Sequence, residues 1–581
     1  MARPTLLVRV ARLLTRPLGF LTERLGSRFY LLLAVLVVAA AAYGVGTGLT
    51  DGMKSQAFDT VMRNRFRTPP PDPAIVMIDV DEASLAAMAP EFGRWPWPRS
   101  VMAEVVEGLA PAGPAAIVFD IVFSDLDRNH PQADMYLREI AARHPETFFA
   151  MVRLNPQNDR LSELRLADLA GVTPLPHAQP DATVAMIVPY FFDVLDGRRL
   201  GTINLFAEDD GITRSYHVYR DAYGWRIHSL PANVVAALGG NLPDRADILL
   251  NWRGPPPAYP AFRFHALYDS IVRGDALRAD DFAGRIVIIG SSAPSLFDIR
   301  PTPLSSAHTG VEVLATALDN LRNHDFLLEL PDWVSVVVTI IAVALLALAF
   351  RSNFDWLLLR ALFTTTQVSF VVIMYLFLNY STWFVDLTIP FTAAFAYFVV
   401  AGFYAQAVTM RRNGHAWFST ALDPGKTAQV LLLACRINVP PRQRGRIHGM
   451  LQRRSGLTRL GAAAPRLFGA APLMERLYDD VALFYWLVPP ERTCAALTDL
   501  VSMLERSLAA VGRRAGSGAL QFALHATSFT VDERGEWASQ GKRAFMEELL
   551  MAQQPQQARL VRSEEFAAVC SACGVDIERQ L

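Results

Sequence analysis

No cysteine precedes Cys435, and only Cys494, Cys570 and Cys573 follow it. Exported domains pair their cysteines or do without them, whereas a reducing cytosol tolerates free thiols. The distribution points to an outer N-terminal half and an inner C-terminal part. Cys570 and Cys573 make a lone C-x-x-C, which reads as two incidental thiols on a helix rather than a zinc or redox centre. An excess of one charge is lacking too. The 55 basic residues are offset by 56 acidic ones, for a net charge of −1, so no general field favours nucleic acid as a partner.

Catalytic signatures are missing as well. Residues 51–330 hold neither a G-x-S-x-G nucleophile elbow nor an H-E-x-x-H zinc site. Residues 413–581 lack the V-A-I-K, H-R-D and D-F-G marks of a protein kinase, a histidine phosphoacceptor helix with its ATP lid, and the G-G-D/E-E-F of a diguanylate cyclase. DPGKTAQ (423–429) contains Gly425-Lys426-Thr427, but Thr420 stands where a P-loop needs its first glycine. No catalytic residue, metal ligand or cofactor is assigned.

What the chain has is apolar length. Apolar residues make up 52% of it, and four runs approach or exceed the roughly 20 residues that cross a bilayer. Residues 1–28 form a basic segment, with Arg3, Arg9, Arg12, Arg16, Arg24 and Arg28 against the single acid Glu23. The first span is expected at 29–50, around the uncharged run Tyr30 to Leu49. That run is longer and later than a signal-peptide core, so it is read as a retained anchor. Further spans are expected at 333–350, 356–378 and 384–410. The connection Arg351 to Arg360 carries two arginines, Asn379 to Trp383 carries no charge, and Arg411 and Arg412 close the last span. Positive flanks stay in the cytoplasm. The alternation puts 51–330 outside and both termini inside, with Trp333, Trp356 and Trp383 at span ends. Near the spans, charge is confined to Arg360 and Asp386, close to ends where snorkelling suffices, and no span has paired Gly and Pro breaks. This is an anchoring bundle rather than a transport path.

Between the first two spans, short apolar runs alternate with helical patterns. Ala74–Val80 and Ala115–Phe123 are nearly continuous apolar stretches, as in a sheet covered on both faces. Further strands are expected at Phe148–Val152, Thr183–Val188, Ile248–Trp252 and Arg285–Ile289. Val101, Val105 and Leu109 mark one helix, and Val311, Leu314, Leu318 and Leu321 mark another. The fold class is α/β with a largely parallel sheet. Ligands of open α/β sheets gather at the carboxyl ends of strands, where Asp79 and Asp120 end adjacent runs. Asp81, Glu82, Arg99, Asn251, Arg253, Ser291 and Asp298 are candidates for the same rim. Two carboxylates and an arginine there suit a cation, an amine or a sugar. The simpler reading has Asp79 and Asp120 capping helices and Arg99 paired with them. Trp95 and Trp97, in the stiff Trp95-Pro96-Trp97-Pro98-Arg99 loop, either stack on a ligand or cover the sheet.

The ordered runs IVMIDVDEASL (75–85), GRWPWPRSVMAEVVEGLAPAG (93–113), IVFDIVFSD (117–125), ILLNWRGPP (248–256), RIVIIGSSAPSLFDIRPTP (285–303) and TGVEVLATALDNLRNHDFL (309–327) resemble the CHASE type 2 sensory domain. Phe58-Asp59 with Arg63 and Arg65 resembles its opening. The likeness covers about residues 51–330. It implies an extracytoplasmic input module of a multi-pass protein of the bacterial inner membrane, followed by three spans, and it names no ligand.

In such proteins the C-terminal part is the output. A basic juxtamembrane region is expected at 413–478, with Arg436, Arg442, Arg444, Arg446, Arg453, Arg454, Arg459 and Arg466 facing lipid, a protein or solvent. An α+β domain is expected at 479–581. Strands at Asp480–Val488, Leu520–Leu524, Ser528–Val531 and Arg559–Val561 and helices at Thr493–Val511, Lys542–Met551 and Glu564–Ser571 give the order βαββαβα, that of a ferredoxin-like sheet. It loosely resembles the palm of class III nucleotide cyclases, but Phe484-Tyr485-Trp486 stand where the first metal-holding aspartate belongs. Asp479 and Asp480 read as a cap. The whole is read as a transmembrane receptor with a non-catalytic output. Its partners are the membrane, an extracytoplasmic ligand or protein, a cytoplasmic protein and, as a homodimer, a second copy. A divergent nucleotide cyclase and a structural subunit of an envelope complex are the alternatives.

Overall fold

The computed structural model describes residues 27–352, 354, 356–414, 427–437, 473–478, 481–488, 490–498, 500–501, 520–530 and 560–576. The principal elements are α1 (Arg28–Gly46), α2 (Asp51–Arg63), β1 (Ile75–Asp79), α3 (Glu82–Phe92), α4 (Arg99–Leu109), β2 (Ala116–Phe119), α5 (Pro131–Arg143), β3 (Thr147–Arg153), β4 (Met186–Ile187), β5 (Leu200–Thr202), β6 (Ser215–His217), β7 (Asp247–Leu249), β8 (Ala261–Arg263), α6 (Phe264–Val272), β9 (Ile286–Gly290) and α7 (Gly310–Asn323). They are followed by α8 (Asp332–Arg351), α9 (Trp356–Tyr380), α10 (Thr388–Gly414), β10 (Thr427–Ile437), β11 (Leu473–Tyr478), β12 (Val481–Val488), β13 (Leu520–Thr530), β14 (Leu560–Arg562) and α11 (Glu564–Ala572). The chain divides into two compact units, one of which is Thr50–Pro331 with Val371–Thr388.

In that unit the main sheet runs β8-β1-β9-β2-β3, with β4 and β5 both on β3. Every pairing is parallel except that of β4. β1, β2 and β9 are apolar almost throughout because both their faces are covered. Val76, Ile78, Ile117, Phe119, Val287 and Ile289 enter one core with Val101 and Val105 of α4 and Phe264 and Leu267 of α6. The alternating residues face the other way, where Val311 of α7 meets Gly290.

Three expected strands differ, the first being Thr183–Val188, which contracts to β4 and pairs antiparallel with β3. The run Ala115–Phe123 shortens to β2, and the residues after Phe119 turn away. Ile248–Trp252 supplies β7, which pairs antiparallel with β6 and lies outside the main sheet. An apolar run reports burial, not the identity of the strand beside it; Leu250 and Trp252 are buried as expected, against other neighbours.

α1, α8, α9 and the Thr388–Ala405 part of α10 are long and apolar enough to cross a membrane. The last begins later than the 384–410 reading. Trp383-Phe384 pairs with Leu328-Glu329 as a two-residue strand, and the Asp386 carboxylate accepts from the Thr388 N–H at 2.9 Å where the helix starts. Val343, Ala347 and Phe350 of α8 pack with Leu359, Tyr397 and Ala401, and with Leu33 and Val37 of α1. The Tyr397 hydroxyl donates to the Tyr30 carbonyl at 3.0 Å, which satisfies a polar group where lipid offers none.

The C-terminal sheet has the order β11-β12-β10-β13-β14, antiparallel but for the last pair. Its central strand is β10, inside the stretch read as a basic approach, and that corrects the βαββαβα order. Leu520 to Thr530 is one strand, not two, because it contains no Gly or Pro to break it. Arg436 lies on β10. Arg442, Arg444, Arg446, Arg453, Arg454, Arg459, Arg466, Gly425, Lys426, Asp479, Asp480 and the helix expected at 542–551 lie outside the described residues. Cys570 and Cys573 are not a pair of incidental thiols. Cys573 follows α11 and is disulfide-bonded to Cys494, while Cys570 is buried. The cysteine distribution therefore no longer argues for a reducing compartment, and charge alternation alone carries the orientation.

Candidate functional site at the carboxyl edge of the parallel sheet

Parallel pairing brings three strand ends to one level. Asp79 is in register with Gly290, and the Asp120 N–H donates to Ile289 O at 2.9 Å. Asp79, Gly290 and Asp120 thus stand side by side on the α7 face. Strand spacing puts the two aspartate Cα atoms roughly 10 Å apart across the glycine. A Cβ on Gly290 would come within 2.6 Å of Val311 and 3.3 Å of the Asp120 Cβ, so this gap belongs to the packing of α7 on β9.

The two carboxylates have different fates. Asp79 accepts from the Ser292 N–H at 2.8 Å and from the Ser292 hydroxyl, tying down the turn after β9. Burial is the main influence on its carboxyl and, with the neighbouring acids Asp81 and Glu312, raises it above the usual range against those two bonds. Asp120 caps nothing. Its carboxylate makes no hydrogen bond or ion pair among the described residues. The residue is half-buried, yet burial pushes its carboxyl up to about 7, helped by the charge of Asp298 and opposed by Arg300.

Asp298 lies across the loop after β9. Its backbone carbonyl accepts from the Gly310 N–H at 3.0 Å, and its side chain fills the place a Cβ on Gly310 would take. Arg300 approaches it at 3.7 Å. Sequence reasoning missed Tyr216 of β6. It is only 2% exposed, its hydroxyl has no partner, and burial followed by the charges of Asp120 and Asp298 raises it far above the ordinary phenol range. Also missed was the buried pair His308–Glu312, at 3.2 Å. For Glu312 the signal was polarity inside the apolar run GVEVL (310–314); Tyr216, within the polar run TRSYHVYRD (213–221), carried none.

The other candidates go elsewhere. Asp81 caps α3, accepting from the Ser84 N–H at 2.7 Å. Glu82 accepts from the Ser295 N–H at 2.9 Å. The Ser291 hydroxyl donates to Val80 O at 2.8 Å, inside the rim's own turn. Arg99 pairs with neither aspartate; its guanidinium lies 5.4 Å from the Phe123 ring centre. Trp97 is 3% exposed and belongs to the core, with the partly buried Trp95 edge-on to it at 4.9 Å, so these indoles cover the sheet. Asn251 and Arg253 do not reach the rim. Arg253 pairs with Asp319 of α7, which also accepts from the N–H of Asp72 at 2.9 Å. Asp72 precedes β1, so this network sits at the opposite end of that strand from Asp79.

Two expectations follow. Asp79→Ala leaves two Ser292 donors without their acceptor and should cost about 1–3 kcal/mol, read as a lower denaturation midpoint of the purified protein. For Asp120 the folded-state value is raised. Its favourable contribution is therefore fully present below the unfolded value near 4 and lost as pH rises through about 7. Thermal melts of wild type and Asp120→Asn from pH 5 to 8 should show wild type losing stability relative to the variant. Parallel curves would contradict the assignment.

Ligands of parallel α/β sheets gather at such a carboxyl edge, and the chain has four helices long and apolar enough to cross a membrane. The CHASE2 domain family matches residues 32–349, more than half of the chain, and the chain belongs to that family. No curated protein and no solved structure matches it.

Proposed function

We propose that the protein is a multi-pass receptor of a bacterial inner membrane that senses a signal outside the cytoplasm and passes it to a non-catalytic, protein-binding domain inside. The observation that carries this reading is the CHASE2 sensory domain set among four candidate spans, with arginines on alternate connections. The outer ligand is assigned to the Asp79–Asp120 edge, and Asp81, Asp298 and Ser291 shape it; Trp95, Trp97 and Arg99 support the fold around it, while Asn251 and Arg253 serve the opposite end of the sheet. A non-catalytic output is favoured by the strands of the C-terminal sheet. Glu475 is the sole acid on all five, whereas triphosphate chemistry rests on carboxylates that hold two metals.

Orientation is tested by labelling. A cysteine at Ser124 should react with an impermeant maleimide in intact cells, and one at Gly535 only after the membrane is opened. The four native cysteines all lie at or after Cys435 and give no background from outside. The reverse pattern would sink the orientation. The output is tested on the full chain in detergent, which should release no cyclic nucleotide from ATP or GTP with magnesium or manganese and should retain a cytoplasmic protein through purification. Cyclic nucleotide formation that disappears in Asp480→Ala would replace this reading with a divergent class III cyclase.

A further inference from the structure

The rim cluster of Asp120, Asp298 and Tyr216 holds more unmet hydrogen-bonding capacity than a structural site needs. Buried polar groups are normally paired, and an unpaired carboxylate away from bulk water is costly. Asp120 has no hydrogen bond or ion pair among the described residues. Independently, Tyr216, 2% exposed, keeps a hydroxyl without a partner in the electrostatic reach of both aspartates. Tyr216 bonds neither carboxylate, and its buried hydroxyl stays unpaired under the charge of both.

We propose that Asp120, Asp298 and Tyr216 bind a small protonated primary amine; this rests on the receptor reading of the same edge. An ammonium group has three N–H donors and no acceptor, matching two carboxylates and a phenol oxygen. An anion would meet two like charges. A neutral polyol would leave Asp120 uncompensated. Charge also sets the valence. Arg300 stands 3.7 Å from Asp298 and offsets it, so the cluster asks for one positive charge rather than two. Among the described residues no three His, Cys, Asp or Glu side chains are grouped to hold a metal ion. Asp79 is occupied by its two bonds from Ser292 and lies on the far side of Gly290.

The test uses the full chain in detergent at pH 8, titrated in a calorimeter with propylammonium chloride against a sodium chloride blank of equal ionic strength. Propanol and sodium propionate serve as neutral and anionic counterparts, and calcium chloride as the metal alternative. Saturable binding of propylammonium alone is expected, weakened at least tenfold in Asp120→Asn and severalfold in Tyr216→Phe, with both variants melting as cooperatively as wild type. The affinity should also fall as pH drops below 7, where Asp120 takes up its proton. Absence of propylammonium binding, equal binding in all three proteins, or tighter Asp120-dependent binding of calcium, propanol or propionate would each overturn the amine. None of these outcomes bears on the receptor reading, which stands or falls on the labelling and nucleotide experiments, in which no ligand is added.

Discussion

Asp319→Ala is expected to destabilise the sensory domain by about 3–5 kcal/mol, the usual consequence of stranding a buried charge. Arg253 and Asp319 each expose 1% of their side chains. Two guanidinium nitrogens of Arg253 bond the carboxylate, one of them at 3.0 Å, and the Tyr259 hydroxyl and the Asp72 N–H donate to it at 3.0 and 2.9 Å. Burial works to raise the Asp319 carboxyl, and the bonds and charge of Arg253 overcome that and hold it below its usual range. Its contribution is therefore present above the unfolded value near 4 and lost as pH falls through the lowered folded value. Alanine leaves Arg253 buried with Asp325 as its remaining charged partner, at 2.8 Å. Urea denaturation of the purified protein measures the effect. The paired variant Arg253→Met with Asp319→Leu should recover most of the loss, because removing both charges removes the stranded one. A single-variant loss under about 1 kcal/mol would show that the pair is not buried as described.

Cys573→Ser should lower the stability of the C-terminal domain by about 4–5 kcal/mol. The disulfide joins residues 79 apart, and a cross-link closing a loop of that length removes a large share of the unfolded chain's entropy. Thermal melts with and without reductant should separate for wild type and coincide for the variant. In the oxidised protein Cys494 and Cys573 should resist alkylation until reductant is added, and a non-reduced digest should contain their linked peptides. Labelling of both without reductant would disprove the pairing. In a reducing cytosol the bond would open, so the same number measures how much of the oxidised domain's stability depends on its compartment.

The architecture of the sensory domain was largely legible because its signals are local and repetitive. β1, β2 and β9 are near-continuous apolar runs, which only a sheet covered on both faces requires. The heptad-like spacing of Val311, Leu314, Leu318 and Leu321 placed α7 close to where it lies. The strand missed at Thr427–Ile437 is followed by a segment rich in arginine, and its apolar stretch is absorbed into the expected basic juxtamembrane region. Its membership of the sheet comes from β12 and β13, more than 40 and 80 residues further on, which no window of sequence contains.

By itself the sequence determined the spans, their charge alternation, the parallel sheet and the presence of aspartates at its carboxyl edge, since period, length and charge are properties of neighbours along the chain. Only the tertiary structure decided what each polar side chain meets. Asp79 and Asp120 look alike in the sequence, each following a run of apolar residues. Ser292, more than 200 residues after Asp79, pairs with the first, while Tyr216 stands near the second without bonding it. Arg253 and Asn251 were expected at that edge and are held at the other end of β1 by Asp319 and Asn320 of α7. The cost of burying a charge or a hydroxyl is set by groups brought within a few ångströms through folding, and distance along the chain carries no record of them.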